Sequence, residues 1–279
     1  YRLFLCLILP DMFKYIDQTG FEIKLEAPPQ RIVSLVPSQT ELLADLGLQD
    51  RIVGITKYCI YPPELFLSVP RVGGTKSINH ELVNQLNPDL IIANKEENNR
   101  DAIERLREKF PVWLSDVSNL HEALDMIYNI GVMTNCQERA SEINNQIAEK
   151  FKAITEKNKK HVARRALYFI WRNPYMCAGG DTFINDMMNK AGFDNLMYYH
   201  KRYPELSEKK IAELNPEVIL LSSEPYPFKA RHIQEFKNIC PKAEILLVDG
   251  EFFAWYGSRM VKAADYFHQL CDNNSNVSE

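Results

Sequence analysis

The segment LNPDLII, residues 86–92, returns as LNPEVIL, residues 214–220. The offset is 214 − 86 = 128 residues. Each copy carries the same physical instruction. An apolar helical stretch ends, Asn-Pro breaks it, and a short run of large aliphatic residues follows. Proline disfavours a helical conformation in the residue before it, and the apolar run is short enough for a strand buried on both faces. A chain that repeats this unit is constrained to two similar halves.

The rest of the sequence extends the repeat. In the first half, RIVSLV (31–36) and RIVGIT (51–56) read as strands flanking a helix in SQTELLADLGL (38–48). Ser38 and Glu41 have capping-box spacing there, and Gly47 stops the helix. INHELVNQL (78–86) reads as a helix beginning near Asn79, DLIIA (89–93) as a buried strand, 98–110 as a helix and VWLSD (112–116) as a strand. In the second half, strands are expected at 166–171, 217–223 and 244–249, with helices at 181–192, 207–214 and 230–239. Strand alternating with helix predicts an α/β fold: two similar lobes with mainly parallel sheets, covered on both faces.

Between the halves, residues 135–161 contain neither Pro nor Gly. Ala140, Ile143, Ile147, Phe151 and Ile154 recur every three or four residues, as one face of an amphipathic helix requires. About 22 residues at 1.5 Å each give a rod of about 33 Å. Such a stiff connector would restrict relative motion of the lobes and disfavour large closure. The expected organisation is an N-terminal segment 1–30, a first lobe 31–134, the connecting helix 135–161, a second lobe 162–272 and a tail 273–279. The apolar run Leu3–Pro10 reads either as a remnant of a signal peptide or as a leading strand. No small-residue cleavage site follows it, Leu3, Phe4 and Leu5 do not suit lipoprotein acylation at Cys6, and Met12 offers another start.

A net charge of −4, from 33 basic and 37 acidic residues, gives no electrostatic footprint for nucleic acid or an anionic membrane. No run of eighteen apolar residues occurs. The six cysteines (6, 59, 136, 177, 240 and 271) form no C-x-x-C pair and read mostly as free, buried thiols. Cys177, in CAGGD, is the best nucleophile candidate, with a small buried thiol as the competing reading. Nucleotide-binding glycine motifs and the G-x-S-x-G elbow are absent. Of the six histidines only His200 falls near a strand-end loop, which disfavours a bare-metal site.

Two α/β lobes, a rigid connector, PSQTE (37–41), YP (61–62), VGGTKSINHELVNQLNPDLII (72–92) and FFAWYGSRM (252–260) together resemble the class III, helical-backbone substrate-binding proteins of ABC importers. The likeness runs over residues of roughly 30 to 270. It is strongest toward the branch that carries vitamin B12 and iron chelates. The resemblance implies a periplasmic or cell-surface, monomeric, non-catalytic protein with no intrinsic cofactor. It would hold a corrinoid, ferric siderophore or haem in a cleft between the lobes and deliver it to an ABC permease and its ATPase. The alternatives are an intracellular α/β ligand-binding protein and a small-molecule enzyme that keeps the fold without transport.

Ligands of open α/β sheets bind outside the carboxyl ends of the strands. The expected ligand contacts are therefore loop residues: Ser38, Gln39, Tyr58 and Thr75 in the first half, and Trp171, Arg172, Tyr203, Glu251, Phe252, Phe253, Trp255, Tyr256 and Arg259 in the second. Tyr61 is assigned to packing. The crowding of 252–256 suits aromatic walls on a loop better than a strand face or a helix stripe. Arg259 is either an anion clamp or a packing cation. The resemblance departs at Thr75 and Tyr203, where the vitamin B12-binding branch has Trp, and at Trp255, where it has Arg. Family members dock on their permease through a carboxylate on each lobe. Glu81 matches the first; the second falls on Lys209, with Glu208 beside it.

Overall fold

A computed structural model describes residues 12–159 and 161–275. The run Leu3–Pro10, with Cys6, and the last four residues of the expected tail lie outside the described residues. Two compact units account for the rest: 12–116 with 128–140, and 117–127 with 141–275.

The first unit opens with an antiparallel hairpin, β1 (Phe13–Ile16) and β2 (Glu22–Leu25). There follow β3 (Ile32–Ser34), α1 (Pro37–Asp45), β4 (Ile52–Ile55), α2 (Pro63–Ser68), α3 (His80–Leu86), β5 (Leu90–Asn94), α4 (Arg100–Arg107) and β6 (Val112–Ser115). The strands form a wholly parallel sheet in the order β4-β3-β5-β6. Every residue of β5 is buried, as a strand covered on both faces should be. Val33, Val83, Ile91, Ile103 and Val112 form the core of one face. Asp17, in the hairpin turn, has a fully buried side chain that accepts from the Leu114 N–H and from Arg107 Nη2 at 2.6 Å. The hairpin is thereby anchored to the end of the sheet.

Helices α5 (Leu120–Met133) and α6 (Gln137–Asn158) contribute residues to both units. Helix α6 runs 22 residues without a break, and Ala140, Ile143, Ile147, Phe151 and Ile154 are all buried.

The second unit comprises β7 (Arg164–Trp171), β8 (Tyr175–Cys177), α7 (Phe183–Lys190), β9 (Phe193–Asn195), β10 (Glu205–Leu206), α8 (Glu208–Leu214), β11 (Val218–Ser222), α9 (Ala230–Ile239), β12 (Glu244–Val248), α10 (Gly250–Ala254) and α11 (Met260–Ser275). Its parallel strands lie in the order β9-β7-β11-β12, the same topology as β4-β3-β5-β6. The antiparallel pair β8 and β10 is added beside β7.

The repeated segment has a repeated geometry. Helix α3 ends at Asn87 and α8 at Asn215, both left-handed, at φ 44° and φ 45°. Asparagine tolerates this conformation and frees the chain to turn into the strand. Arg31 donates from Nε and Nη2 to the Leu86 carbonyl at 3.1 and 2.6 Å. Arg165 likewise donates from Nη2 to the Leu214 and Asn215 carbonyls at 2.8 and 2.9 Å. In return, the Asp89 carboxylate accepts the backbone N–H groups of Gln30 and Arg31 at 2.7 and 2.8 Å, and Glu217 accepts that of Arg165 at 2.7 Å. Each unit is thus latched at the amino end of its central strand pair.

Three local expectations need correction. Ser38 is not a helix cap: Pro37 occupies the first turn of α1, the cap falls on Val36, and no side chain caps it. The aromatic stretch 252–256 is not an open loop, because Gly250–Ala254 forms α10, started by the Asp249 carboxylate accepting the Glu251 N–H. Elements β8, β10, α5 and α11 also arise where no element had been assigned.

Asn87→Ala and Asn215→Ala should each lower stability by about 1 kcal/mol, because alanine lacks the short polar side chain that lets asparagine adopt the left-handed region. Glycine at either position should be nearly neutral. Urea denaturation of the four variants measures both effects.

Candidate functional site

In each sheet the chain leaves the central strand in one direction, then returns to its other side. The switch points lie between β3 and β5 and between β7 and β11. Loops at the carboxyl ends of these strands are where such sheets bind ligands.

In the first unit the strands end in a buried polar layer. Ser34 at the end of β3, Thr56 just after β4, Asn94 ending β5 and Ser115 ending β6 are all at most 2% exposed. Thr40 donates to Ser34 Oγ at 2.7 Å; Asn94 Nδ2 donates to Ser115 Oγ at 3.0 Å; Gln39 Nε2 donates to the same hydroxyl. Thr56 and the Cys59 thiol are 3.1 Å apart. Buried hydrogen bonds of this kind hold the loops at the strand ends. Gln39 and Ser38 are both buried, so they build the floor rather than project from it.

Above that floor, Tyr58 is 52% exposed, with the Lys57 ammonium 5.1 Å from its ring centre. Thr75 is half-buried on a turn closed by Gly73, at φ 109°, where a β-carbon would meet the Ser77 carbonyl oxygen at 2.3 Å. Only glycine allows that approach. Its backbone partner is Asn98, whose Nδ2 donates to the Thr75 carbonyl at 3.0 Å.

In the second unit Trp171 ends β7 and stays 40% exposed. Its ring meets Tyr226, on the loop after β11, edge to face at 5.7 Å. The two rings therefore flank this unit's switch point. Tyr203 is half-buried, with the Arg202 guanidinium 5.6 Å from its ring centre. The segment carrying it packs backbone to backbone on Gly179 and Gly180, where a β-carbon would collide with the carbonyl oxygens of His200 and Tyr198. That close approach accounts for the CAGGD motif. Cys177 is fully buried and burial pushes its thiol far up, which leaves no nucleophile there.

The other expected contacts are structural. Arg172 turns to α9, donating from Nε to both Glu235 oxygens at 2.9 and 3.0 Å, and the Tyr175 hydroxyl donates to the same carboxylate. Phe253 is fully buried among Tyr168, Tyr266 and Phe267. Trp255, 9% exposed, donates from Nε1 to Glu224 at 2.8 Å and carries the Arg259 guanidinium 4.6 Å over its ring. Arg259 also pairs with Glu251, so it is a packing cation rather than an open anion clamp. Tyr256 is buried edge-on against Phe183. Phe252, half-buried, lies against Tyr266 at 4.9 Å. The five-residue helix explains the crowding: side chains leave it in all directions, and most point into the unit. Sequence reasoning missed Tyr226 and Glu224, which follow β11 without any motif to mark them.

Glu81 and Glu208 are exposed in the first turns of α3 and α8, corresponding helices of the two units. Beside Glu208, a pocket of about 680 Å³ is lined by Arg172, Tyr175, Lys209 and Glu235. Among the described residues no group of three or more His, Cys, Asp or Glu side chains could hold a metal ion, and no helix is long and apolar enough to cross a membrane. His232 is buried and spends its ring on structure, accepting the Lys229 N–H at Nδ1.

The family model described as periplasmic binding protein matches residues 32–238. The chain belongs to that family. It is 29% identical over 212 residues to an uncharacterized ABC transporter substrate-binding lipoprotein of Bacillus subtilis, covering 73% of this chain and 67% of the relative. Its fold is similar to a periplasmic vitamin B12 binding protein of Vibrio cholerae, with TM-score 0.77, 22% identity and coverage of 89% and 98%. It is also similar to a periplasmic heme-binding protein of Roseiflexus sp. RS-1, with TM-score 0.74, 20% identity and coverage of 87% and 98%. Membership makes this a substrate-binding protein and not an enzyme. The α/β fold with two lobes is that of the family.

Two consequences are measurable. Phe253→Ala should cost about 3–5 kcal/mol of stability by denaturation, as for a large buried aromatic. For Glu235, burial alone would raise the carboxyl group, but the Arg172 and Tyr175 hydrogen bonds outweigh it and hold the group below its ordinary value of 4.5. Its contribution is therefore present above pH 4.5 and is lost as pH falls through the lower folded value. The stability difference between the wild type and Glu235→Gln should shrink on acidification below pH 4.5; a gap that widens there contradicts the assignment.

Proposed function

We propose that this binding protein captures a metal chelate outside the cytoplasmic membrane, as the substrate-binding component of an ABC importer. The chelate classes are a corrinoid, a ferric siderophore or haem, and they are cargo rather than a resident cofactor. Delivery is to a membrane permease driven by its ATPase. Supporting this, the Vibrio relative is a vitamin B12 binding protein, the Roseiflexus relative a heme-binding one, and the Bacillus relative a substrate-binding lipoprotein.

The observation that carries the reading is the exposed Trp171 ring, backed by the half-buried Tyr226, at the switch point of the second unit. Trp171 keeps 40% of its surface open while Tyr226 braces its edge. Tyr58 offers a further open ring in the first unit. Open, supported aromatic faces suit a large planar or apolar ligand, and they cost nothing in fold stability when they are covered by one. Trp255 and Phe253 are buried in the packing of the second unit and are not ligand contacts in this reading. Glu81 and Glu208, exposed on corresponding helices, are the docking carboxylates in this reading.

Titrating cyanocobalamin, haemin and ferric siderophores into the purified protein, with visible absorbance as the readout, tests the class; absence of a complex with all of them refutes it. Trp171→Ala should weaken the complex by about 1–3 kcal/mol, roughly tenfold to a hundredfold, with little change in stability. Glu81→Ala should leave chelate affinity unchanged and slow uptake in a reconstituted transporter. Weakened chelate binding by Glu81→Ala would remove it from the docking surface.

A further inference from the structure

Asn94 and Asn98 fix the loop that crosses the switch point of the first unit. Asn94 Oδ1 accepts the backbone N–H groups of Glu96 and Glu97 at 2.8 and 2.9 Å. Asn98 Oδ1 accepts the Asn94 N–H at 2.8 Å, and its Nδ2 donates across to the Leu35 carbonyl beyond β3 at 3.4 Å and to Thr75. The backbone at Glu97 is therefore held in place, at the junction of the loops that follow β3, β4 and β5.

The Glu97 side chain is half-buried there, and no described residue donates a hydrogen bond or an ion pair to its carboxylate. The nearby cations are otherwise employed. Lys76 donates to the Glu96 carbonyl, Lys95 pairs with Asp116, and Lys57 lies over the Tyr58 ring. Glu96 adds a second negative charge and the Cys59 thiol faces the same field. Burial first, and Glu96 second, push the Glu97 carboxyl above its ordinary value, with Lys76 opposing. Nothing in the packing of the unit uses this half-buried carboxylate, so its acceptor capacity is left for a ligand.

We propose that Glu97 determines specificity in the first unit: its carboxylate accepts amide or ammonium N–H groups from the rim of the bound chelate and rejects chelates with carboxylates on their rim. The inference rests on the chelate-binding reading above and narrows its ligand class. A rim donor completes the missing hydrogen bonds; a rim carboxylate adds a third negative charge beside Glu96 and Glu97, where Lys76 is the opposing charge. Corrinoids carry peripheral amides and some ferric siderophores carry a free ammonium, so they fit; haem, with two propionates, and citrate chelates do not.

The test reads tryptophan fluorescence quenching in the full chain with four probes: cyanocobalamin and ferrioxamine B as amide- or ammonium-bearing chelates, haemin and ferric citrate as carboxylate-bearing ones. The wild type should bind a member of the first pair most tightly. Glu97→Gln should weaken that complex and strengthen the carboxylate-bearing ones, shifting their ratio by about tenfold or more. Glu97→Asp should keep the wild-type order, and the denaturation midpoint should not move, since the group supports no packing. A wild-type preference for haemin or ferric citrate overturns the proposal. So does an unchanged ratio in Glu97→Gln, or an equal loss for all four probes. If the wild type binds none of the four, the chelate-binding reading falls and takes this inference with it, whereas binding with an unmoved ratio removes the inference alone.

Discussion

The exchange between a helix end and a strand start underlies both units. A helix that stops at a proline leaves its last carbonyls without intrahelical donors, and the strand beside it begins with N–H groups that lack acceptors. Arg31 supplies donors to the Leu86 carbonyl while Asp89 accepts from the Arg31 backbone. Arg165 and Glu217 do the same for Leu214 and the start of β7. One basic and one acidic residue thus close both deficits and set the register of β3 on β5 and of β7 on β11. Once the amino ends of these pairs are aligned, the position of their carboxyl ends follows, and with it the place where ligand loops emerge.

What the carboxyl ends do with that placement differs between the units. The first closes its strand ends with hydroxyls and amides: Ser34 with Thr40, Asn94 and Gln39 with Ser115. Such a layer is rigid and small, and leaves room for a carboxylate such as Glu97 on the loop above it. The second closes its strand ends with rings. Tyr168 donates to Ser222 at 3.0 Å and packs on Phe253, and Trp171 and Tyr226 cap the edge. Both solutions bond the hydroxyls Ser34, Ser115 and Ser222 at the strand ends, but they present different chemistry upward.

The architecture was legible because its signals are long or repeated. The 128-residue offset, the alternation of strand and helix, and the apolar spacing through α6 each involve many residues, so local errors cancel. Of the candidate site, open rings were legible only where a single residue ends a strand, as with Trp171, or stands alone on a turn, as with Tyr58. It was misread at 252–256 because a helix of five residues makes little more than one turn and has no period to detect. The pairing of Arg172 was not legible because its partner Glu235 lies 63 residues away on α9, a distance no spacing rule reports. Ser38 lost its cap position to Pro37, whose fixed backbone suits the first helical turn better than serine suits the cap. Glu97 and Tyr226 belong to no motif; only the topology gives them meaning.

The internal repeat also shows which parts of the fold can vary independently. The latch is built the same way twice, down to left-handed asparagines within one degree of each other in φ. The loops at the opposite edge diverge: KEENN follows β5, whereas SEPYP follows β11, with only the glutamate in second place in common. The physical reason is a division of labour along the strands. At the amino end the same unpaired backbone groups recur in any helix–break–strand unit and demand the same donors and acceptors. At the carboxyl end each strand terminates in solvent-facing loops whose backbone needs can be met in several ways, so the side chains there answer to the ligand instead.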